Sequence, residues 1–374
     1  MSAVDLTSPV RLGIGELADV LAEHAAAADE AGRPAPEVLA ALRNSPLPGL
    51  VVPRRYGGAG ADALEGNRVI ARIARHDPST AIIAFQHMAV CSRIAEWGSA
   101  AQREELLPKL ASGEWLAASA WSESGAGAAK KNLATIADEL PGGGWTVSGG
   151  KAFTTGAGIT DIYLVLAQST PMADDESAYG SGGQSFFLVP ATNPGIEPDL
   201  SLDLVGMRAS ATGFVELKDC FLGPEALLGP RDAASTIISG VRQSGATLGA
   251  VSAGIAEAAW DLGFQAAQRK SLLGLQAVRH RLVDLRGQVE SARALVERAG
   301  RRDAADPGEV TLHSKIHASQ VAEDVVASIA RLLGSAGYVV TNPINRMARD
   351  ARAVALMGPT NDLSRELVSL PWAA

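Results

Sequence analysis

The sequence predicts a mainly α-helical protein with a β-domain in the middle of the chain. Apolar residues recur at three- and four-residue spacing up to about residue 116 and again from about residue 234, which is typical of packed helices. Between these regions, short runs rich in β-branched and aromatic residues are separated by glycines, as in strands. We therefore predict a helical domain over residues 1–116, a β-barrel-like domain over 117–232 and a four-helix bundle over 233–374.

Individual segments support each zone. Asp77-Pro78-Ser79-Thr80 has the residue types of a helix start. The predicted strands are TIADEL, GWTVSGGKAFTTG, DIYLVLAQS, SFFLVPA and GFVELKDCFLG, and residues 172–185 are predicted as a hairpin loop. Residues 234–270 are predicted to be one long periodic helical stretch, followed by helical stretches over 276–300 and 310–337.

Composition narrows the class of protein. The 374 residues are 47% hydrophobic and 20% charged, with 33 basic and 41 acidic residues and a net charge of −8, which fits a globular protein and argues against a nucleic-acid surface. The two cysteines, Cys91 and Cys220, have no partner at metal-ligand spacing, so neither a disulfide framework nor a zinc site is expected. No signal peptide and no apolar run of membrane-spanning length is evident, so we expect a cytoplasmic protein with no membrane contact.

Two segments of the β-zone carry residues suited to a flat heterocyclic ligand. In Ala120–Ala128, Gly125 and Gly127 permit close approach of backbone amides, and Ser122 offers a hydroxyl. In Lys151–Ala157, an aromatic residue is followed by two hydroxyls. Each segment alone is also compatible with ordinary turn chemistry.

Taken together and in order, several segments resemble the acyl-CoA dehydrogenase superfamily over nearly the whole chain. The resemblance is carried by GLVVPRRYGGAGAD, GSAAQREELLPKLASGEW, SAWSESGAGA, GGKAFTTGAGITDIYLVLA, LVGMRASATGFVELKDC with Ser210 in the serine position, IARLLGSAG and RDARAVALMGPTN. It implies FAD as cofactor and an acyl thioester or other small-molecule substrate. It also implies a homodimer or homotetramer, with a flavin reductase or an electron-transfer protein as partner.

The resemblance also assigns cofactor-binding residues. Those expected at the flavin ring and ribityl chain are Trp121, Ser122, Gly127, Phe153, Thr154 and Thr155. Those expected at the FAD tail, across a subunit boundary, are Arg269, Gln276, Gly334 and Gly337, with Thr360 and Asn361 at the adenine half. Arginine suits phosphate because its guanidinium presents a fixed fork of donors. Glu123 is expected to hold the flavin loop, which by this resemblance is the segment SAWSESGAGA.

The family's catalytic glutamate has no counterpart here. Aligned through Arg349–Ala351, its usual position is Gly358, and the family's alternative position falls near Arg242 or Gln243. The catalytic residue is therefore not identified, and the weak candidates are Asp362, which one helical turn would direct away, and His87, for which a structural role is preferred. His313 and His317 lie four residues apart without a third ligand, so no metal site is predicted.

Three functions follow from this pattern. The first is an FAD-dependent dehydrogenase for an acyl thioester or a specialised-metabolite intermediate. The second is a monooxygenase or N-hydroxylase on the same fold, which uses reduced FAD or FMN with O2 and needs no α-proton base. The third is a non-catalytic subunit of a hetero-oligomeric dehydrogenase. The sequence does not distinguish CoA from a carrier protein as the thioester carrier.

Overall fold

The computed structural model describes residues 14–171 and 179–372, and within them helices enclose a central β-sheet. The N-terminal helices are α1 (Ile14–Ala31), α2 (Pro36–Asn44), α3 (Ala63–Ala74), α4 (Pro78–Trp97) and α5 (Ala100–Ala111). The C-terminal helices are α6 (Ala234–Gln243), α7 (Gly249–Arg269), α8 (Gln276–Arg301), α9 (Pro307–Leu333), α10 (Pro343–Ala351), α11 (Ala353–Leu356) and α12 (Asn361–Ser369). The predicted fold class, helices around a middle β-domain, is confirmed, while the domain boundaries at 116 and 232 stay predictions.

The strands form one eight-stranded sheet. They are β1 (Ala117–Ala120), β2 (Ile136–Glu139), β3 (Trp145–Thr154), β4 (Ile162–Gln168), β5 (Gln184–Pro190), β6 (Ile196–Asp199), β7 (Gly213–Leu222) and β8 (Leu227–Leu228). Their order is β6-β7-β3-β2-β4-β5-β8, with β1 pairing parallel to β4. All five predicted strand segments form strands. Of the predicted hairpin loop, residues 172–178 lie outside the described part of the chain.

Strand β4 connects the two cores that meet at the sheet. Its side chains alternate in direction, so Ile162, Leu164 and Leu166 pack against the helices, while Tyr163 and Val165 pack inside the β-domain. Because both faces are covered, every residue of β4 except Gln168 is buried, and β4 anchors the neighbouring strand β1. This fixes the end of β1, where the first candidate ligand loop begins.

The helix starts follow elementary capping chemistry. Asp77 accepts hydrogen bonds from the backbone amides of Ser79 and Thr80 at 3.1 and 3.0 Å, which confirms the predicted start of α4. At α5, Ser99 and Gln102 form a reciprocal capping box. None of the helices in the described part of the chain combines the length and apolar character that crossing a bilayer requires.

The predicted long helical stretch 234–270 is interrupted. Helix α6 ends at Gln243 and α7 begins at Gly249, with Gly245 between them at a φ of 78°. The side chain of Asn67, on α3, donates to the carbonyl of Gly245 at 2.9 Å and accepts from the amide of Thr247 at 3.1 Å. Since these contacts come from a helix far away in sequence, local periodicity did not reveal the break.

Candidate flavin and substrate site

The first ligand loop leaves the sheet at the end of β1 and is tied to β3. The amide of Ala152 donates to the carbonyl of Ser122 at 2.8 Å. The two predicted segments, 120–128 and 151–157, are therefore neighbours in the structure. This places Trp121 and Ser122 beside the end of the strand that carries Phe153.

A buried ion pair holds this loop. Lys151 donates from Nζ to Glu123 Oε1 at 2.6 Å and to the carbonyl of Leu166 at 2.5 Å. The amides of Ala134 and Thr135 also donate to the Glu123 carboxylate, at 2.6 and 3.2 Å. Burial opposes ionisation of Glu123, but the Lys151 ammonium and these hydrogen bonds hold its pKa below the ordinary value. A carboxylate with all these partners has a structural role, as expected for Glu123.

The end of β3 is strained and exposes an aromatic ring. Phe153 has a φ of 52°, in the left-handed region, and is 62% exposed. The neighbouring Thr154 is buried, and its hydroxyl has no hydrogen-bond partner among the described residues. The hydroxyl of Thr155 lies 3.0 Å from that of Thr212, which lies 2.8 Å from that of Ser210.

Further features of the loop leave room for a ligand. The indole Nε1 of Trp121 is buried and has no hydrogen-bond partner among the described residues. Gly127 has a φ of 69°, which favours glycine, and open space lies where a side chain would begin. Unsatisfied buried donors are costly, so their occurrence at one place indicates a missing polar partner.

A cavity of about 450 Å³ lies between this loop and the helices. Trp121 and Ser119 form one wall, and the remaining walls come mainly from α3, α4, α6 and the residues just after α6. Its apolar lining residues include Val51, Ile70, Phe85, Met88 and Ala89. Such a volume, apolar with a few polar groups, is typical of a small-molecule site.

At the turn before α12, the Lys130 ammonium lies close to Gly358, the position at which the resemblance predicts a carboxylate. A Cβ on Gly358 would lie 3.2 Å from Tyr179 Oη and 3.3 Å from Lys130 Nζ. The Lys130 ammonium lies over the Tyr179 ring, 5.4 Å from its centroid. Burial lowers the pKa of Lys130 to about 8, and no carboxylate of the described residues forms an ion pair with it.

The alternative position on α6 also lacks an acid. Gln243 lines the cavity, and its side-chain amide donates to Asp306 at 3.1 Å and accepts from the amide of Gly308 at 3.2 Å. Arg242 is half-buried, and its Nε has no hydrogen-bond partner among the described residues. The carboxylates that do line the cavity are those of Asp62 and Glu96.

The weak catalytic candidates, His87 and Asp362, do not line the cavity. The imidazole of His87 is buried, with Nδ1 accepting from the amide of Ala117 at 3.1 Å and Nε2 lying 3.1 Å from the carbonyl of Pro48. Burial lowers its pKa to about 4, so it is a neutral link between α4 and β1. The Asp362 side chain is 95% exposed and pairs with Arg365 at 2.8 Å. These contacts favour the structural interpretation of His87 and the expectation that Asp362 points away.

The histidine pair on α9 has separate partners. His313 lies 3.2 Å from Glu309, and His317 lies 2.9 Å from the hydroxyl of Ser291. Over residues 14–171 and 179–372, no group of three or more potential metal-ligating side chains is found.

The residues expected at the FAD tail lie at one end of the bundle. Arg269 ends α7, Gln276 begins α8, and Gly334 follows α9, so the alternating helix directions bring these three ends together. Gly337 is buried, and an added Cβ would lie 2.7 Å from the carbonyl of Ala330. Arg269 and Gln276 are exposed.

Thr360 and Asn361 use their side chains within the chain. The Thr360 hydroxyl caps α12 by accepting from the amide of Leu363 at 3.2 Å. Asn361 accepts from Lys315 Nζ at 3.0 Å and donates to Ser319 at 2.8 Å. Their expected contact with adenine stays a prediction.

Sequence reasoning did not identify Arg93 or Lys130. Arg93 lies on the buried face of α4. From sequence alone, a single arginine in a helix is usually expected on the solvent-exposed face. The signal that could have found it is its place three residues before Glu96 on a face otherwise made of apolar and small residues. Lys130 could not have been found this way, because its proximity to Gly358 is entirely tertiary.

The chain is similar to acyl-CoA dehydrogenases over each of its three regions. Family models for the N-terminal, middle and C-terminal domains of acyl-CoA dehydrogenases match residues 16–114, 118–220 and 235–369. The probable acyl-CoA dehydrogenase FadE25 of Mycobacterium tuberculosis is 30% identical over 358 residues, covering 93% of this chain and 90% of the relative. The L-prolyl-[peptidyl-carrier protein] dehydrogenase of Pseudomonas fluorescens is 30% identical over 339 residues, covering 86% of each chain.

Solved structures of similar fold cover the whole chain. Butyryl-CoA dehydrogenase from Megasphaera elsdenii superposes with a TM-score of 0.88 at 25% identity, covering 100% of both chains. The FAD complex of PigA has the same fold, with a TM-score of 0.85 at 20% identity and coverage of 100% of this chain and 99% of that one.

Proposed function

Because this chain belongs to the acyl-CoA dehydrogenase family of flavin-dependent oxidoreductases, we propose that it is an FAD-dependent dehydrogenase of an acyl thioester or a related intermediate. The observation that carries the proposal is the double role of one loop. Trp121 precedes Ser122, which is hydrogen-bonded to β3 beside its strained end, where the flavin would bind, and Trp121 also forms a wall of the cavity. Substrate and cofactor would meet at this loop.

The residues present fit a flavin. Trp121 Nε1 and Thr154 Oγ1 are buried donors without a partner among the described residues, and a flavin ring carries the oxygen and nitrogen acceptors that they lack. Phe153 offers an exposed aromatic face for packing, held there by a left-handed backbone. Gly127 permits backbone amides to approach without interference from a Cβ. We propose these residues, with Ser122 and Thr155, as the ring and ribityl contacts.

FAD held by these residues would supply the oxidant for removal of a hydride from the substrate. The chain's part is to position the organic group and to exclude water. Apolar side chains such as Phe85 and Met88 line the cavity, which favours a buried acyl group. Ser119, which also lines the cavity, offers a hydroxyl near the loop.

The tail of FAD would be completed by a second subunit. Arg269, Gln276, Gly334 and Gly337 lie at the end of the bundle and not on the flavin loop. Four exposed apolar residues occur in the same region, namely Leu275, Tyr338, Val339 and Val340. Covering such a patch favours self-association, so we propose a homodimer or homotetramer whose partner subunit supplies the tail contacts.

The proton step is not carried by a carboxylate at Gly358 or Gln243. We therefore propose little or no turnover of simple saturated acyl-CoAs, since removal of an α-proton needs a base placed at the carbon. The relatives include a dehydrogenase named for acyl-CoA and one named for a prolyl group on a peptidyl-carrier protein. Both kinds of thioester therefore belong in a substrate screen.

One observation favours a second candidate. The cation of Lys130 lies at the position where a proton-accepting carboxylate was expected. A monooxygenase that uses reduced FAD or FMN with O2 needs no such base, so this function is the alternative, with a flavin reductase as partner. For the dehydrogenase, the partner would be an electron-transfer protein.

The visible absorption spectrum of the purified protein, with and without added FAD, tests the proposal. A stoichiometric flavin spectrum, followed by anaerobic bleaching with a CoA or carrier-protein thioester, is expected. A colourless protein that binds reduced flavin more tightly than oxidised flavin would replace the dehydrogenase by the oxygenase. A protein that binds neither form would indicate a non-catalytic subunit.

A further inference from the structure

An arginine is buried in the wall of the cavity with its hydrogen-bonding capacity largely unused. Arg93, on α4, is 5% exposed and lines the cavity. Its Nε and Nη1 groups have no hydrogen-bond partner among the described residues. Leaving charged donors buried and unpaired is costly, so such a residue indicates a ligand that the site is built to receive.

The protein neutralises the Arg93 charge only in part. Arg93 Nη2 lies 3.2 Å from Glu96 Oε2, and the Glu96 side chain is 47% exposed. Burial lowers the pKa of Arg93, and Glu96 offsets only part of this effect. The second carboxylate of the lining, Asp62, accepts from the amide of Glu65 at 2.9 Å and caps α3. The charge that is both buried and uncommitted in the cavity is therefore positive.

The remaining lining sets the shape of the ligand. Apolar residues of α3 and α4, among them Ile70 and Phe85, line part of the space, and Trp121 connects the space to the flavin loop. A group that fills the cavity thus needs an apolar stretch and, at one point, an anion that can accept from a guanidinium. A carboxylate matches the planar donors of arginine in size and geometry.

We infer that Arg93 binds a carboxylate carried by the acyl group, so that the preferred substrate is a thioester of a dicarboxylic acid. This inference rests on the proposed thioester dehydrogenase function and names its substrate class. Glu96 competes with the substrate carboxylate for Arg93. Arg93 is a binding residue here and moves no proton.

The experiment compares thioesters matched in carbon number. Binding of succinyl-, glutaryl- and adipyl-CoA to the FAD-loaded protein is measured by titration calorimetry against butyryl-, pentanoyl- and hexanoyl-CoA. At least one dicarboxylic thioester is expected to bind about 10- to 100-fold more tightly than its partner, the range for a hydrogen bond to a charged group. Binding is measured without turnover, so a missing proton acceptor does not affect the result.

Variants assign the effect to Arg93. Arg93→Met removes the preference, Arg93→Lys retains part of it, and Glu96→Gln increases it severalfold by removing the competing carboxylate. The control is Arg103→Met, because Arg103 also has a buried Nε without a partner among the described residues but does not line the cavity. If Arg93→Met does not fold, Glu96→Gln and Arg93→Lys still decide the matter.

The outcomes separate the two proposals. If dicarboxylic and monocarboxylic thioesters bind equally well to the FAD-loaded protein, the Arg93 inference is wrong and the dehydrogenase proposal stands. A preference that persists in Arg93→Met also overturns the inference. If the protein binds FAD but no thioester, both proposals fail together.

Discussion

The ion pair between Lys151 and Glu123 is predicted to determine whether the flavin loop forms. Replacement of Lys151 by Met leaves the Glu123 carboxylate buried, with the amides of Ala134 and Thr135 as its remaining donors. Removing one partner of a buried pair costs about 3–5 kcal/mol, because the other charge stays desolvated. At about 2–4 °C per kcal/mol for a domain of 150–250 residues, the melting temperature is expected to fall by about 6–20 °C.

The opposite substitution should cost less. In Glu123→Gln, Lys151 keeps its hydrogen bond to the carbonyl of Leu166, and burial has already lowered the pKa of this lysine to about 8. Its ammonium can therefore lose the proton instead of remaining charged and unpaired. The stability loss of Glu123→Gln should shrink as pH rises above 8, whereas that of Lys151→Met should shrink only in acid, where Glu123 becomes protonated.

Two measurements check this reasoning. Urea unfolding followed by the fluorescence of the six tryptophans reports the stability of the fold, and flavin fluorescence reports release of FAD. The control is Lys218→Met, whose exposed pair with Glu197 at 2.5 Å lies on the surface of the same domain and should leave stability unchanged. A Lys151→Met protein that unfolds like the wild type and retains FAD would show that the pair does not hold the loop.

Three further substitutions test other parts of the site. Phe153→Gly should raise the stability of the FAD-free protein by about 1 kcal/mol, because glycine adopts a φ of 52° without strain. The same substitution should weaken FAD binding, because it removes the aromatic ring. Thermal unfolding with and without FAD measures both effects. The free energy of unfolding should decline by about 3 kcal/mol as pH falls from 6.5 to 4, because His87 binds a proton in the unfolded chain while the folded residue, with its pKa of about 4, stays largely neutral. His87→Gln should remove this part of the pH dependence. An unchanged pH dependence in His87→Gln would contradict the prediction. In Gly358→Glu the new carboxylate should form an ion pair with Lys130, so this variant alone should oxidise little thioester. The double variant Gly358→Glu with Lys130→Ala should oxidise more, as measured by stopped-flow bleaching of the flavin. Equal rates in the two variants would contradict the idea that Lys130 blocks the base.

The sequence predicted elements whose stability is local. Long helices with apolar periodicity, the Asp77 cap and strands such as β4 all carry their signal within a few neighbouring residues. Strands β1, β6 and β8 lack such a signal. Strand β1 is AASA, which has little β-propensity and is a strand because it pairs with β4. Strand β6, IEPD, contains a proline and lies at the sheet edge, and β8 has only two residues.

The site was predicted in part for the same reason. The segments 120–128 and 151–157 were found by composition and order, and the structure joins them through the hydrogen bond from Ala152 to Ser122. The cavity could not be predicted, because its lining comes from helices and loops far apart in the chain. Neither could the two unsatisfied donors of Arg93, Nε and Nη1, since what matters is the acceptors that fail to reach them.

Gly358 connects these observations. In the sequence alone, a glycine where the family has a glutamate is ambiguous, because a glycine at a turn is also explained by the turn itself. The structure shows that the space beyond Gly358 is already taken by Lys130 and Tyr179, so that a Cβ there would meet both at 3.2–3.3 Å. A carboxylate at residue 358 would pair with Lys130 and lose its basicity, since a nearby cation favours the ionised form. The glycine and the lysine are thus mutually consistent, and together they argue that this site arranges charge for a different substrate from a simple saturated acyl thioester.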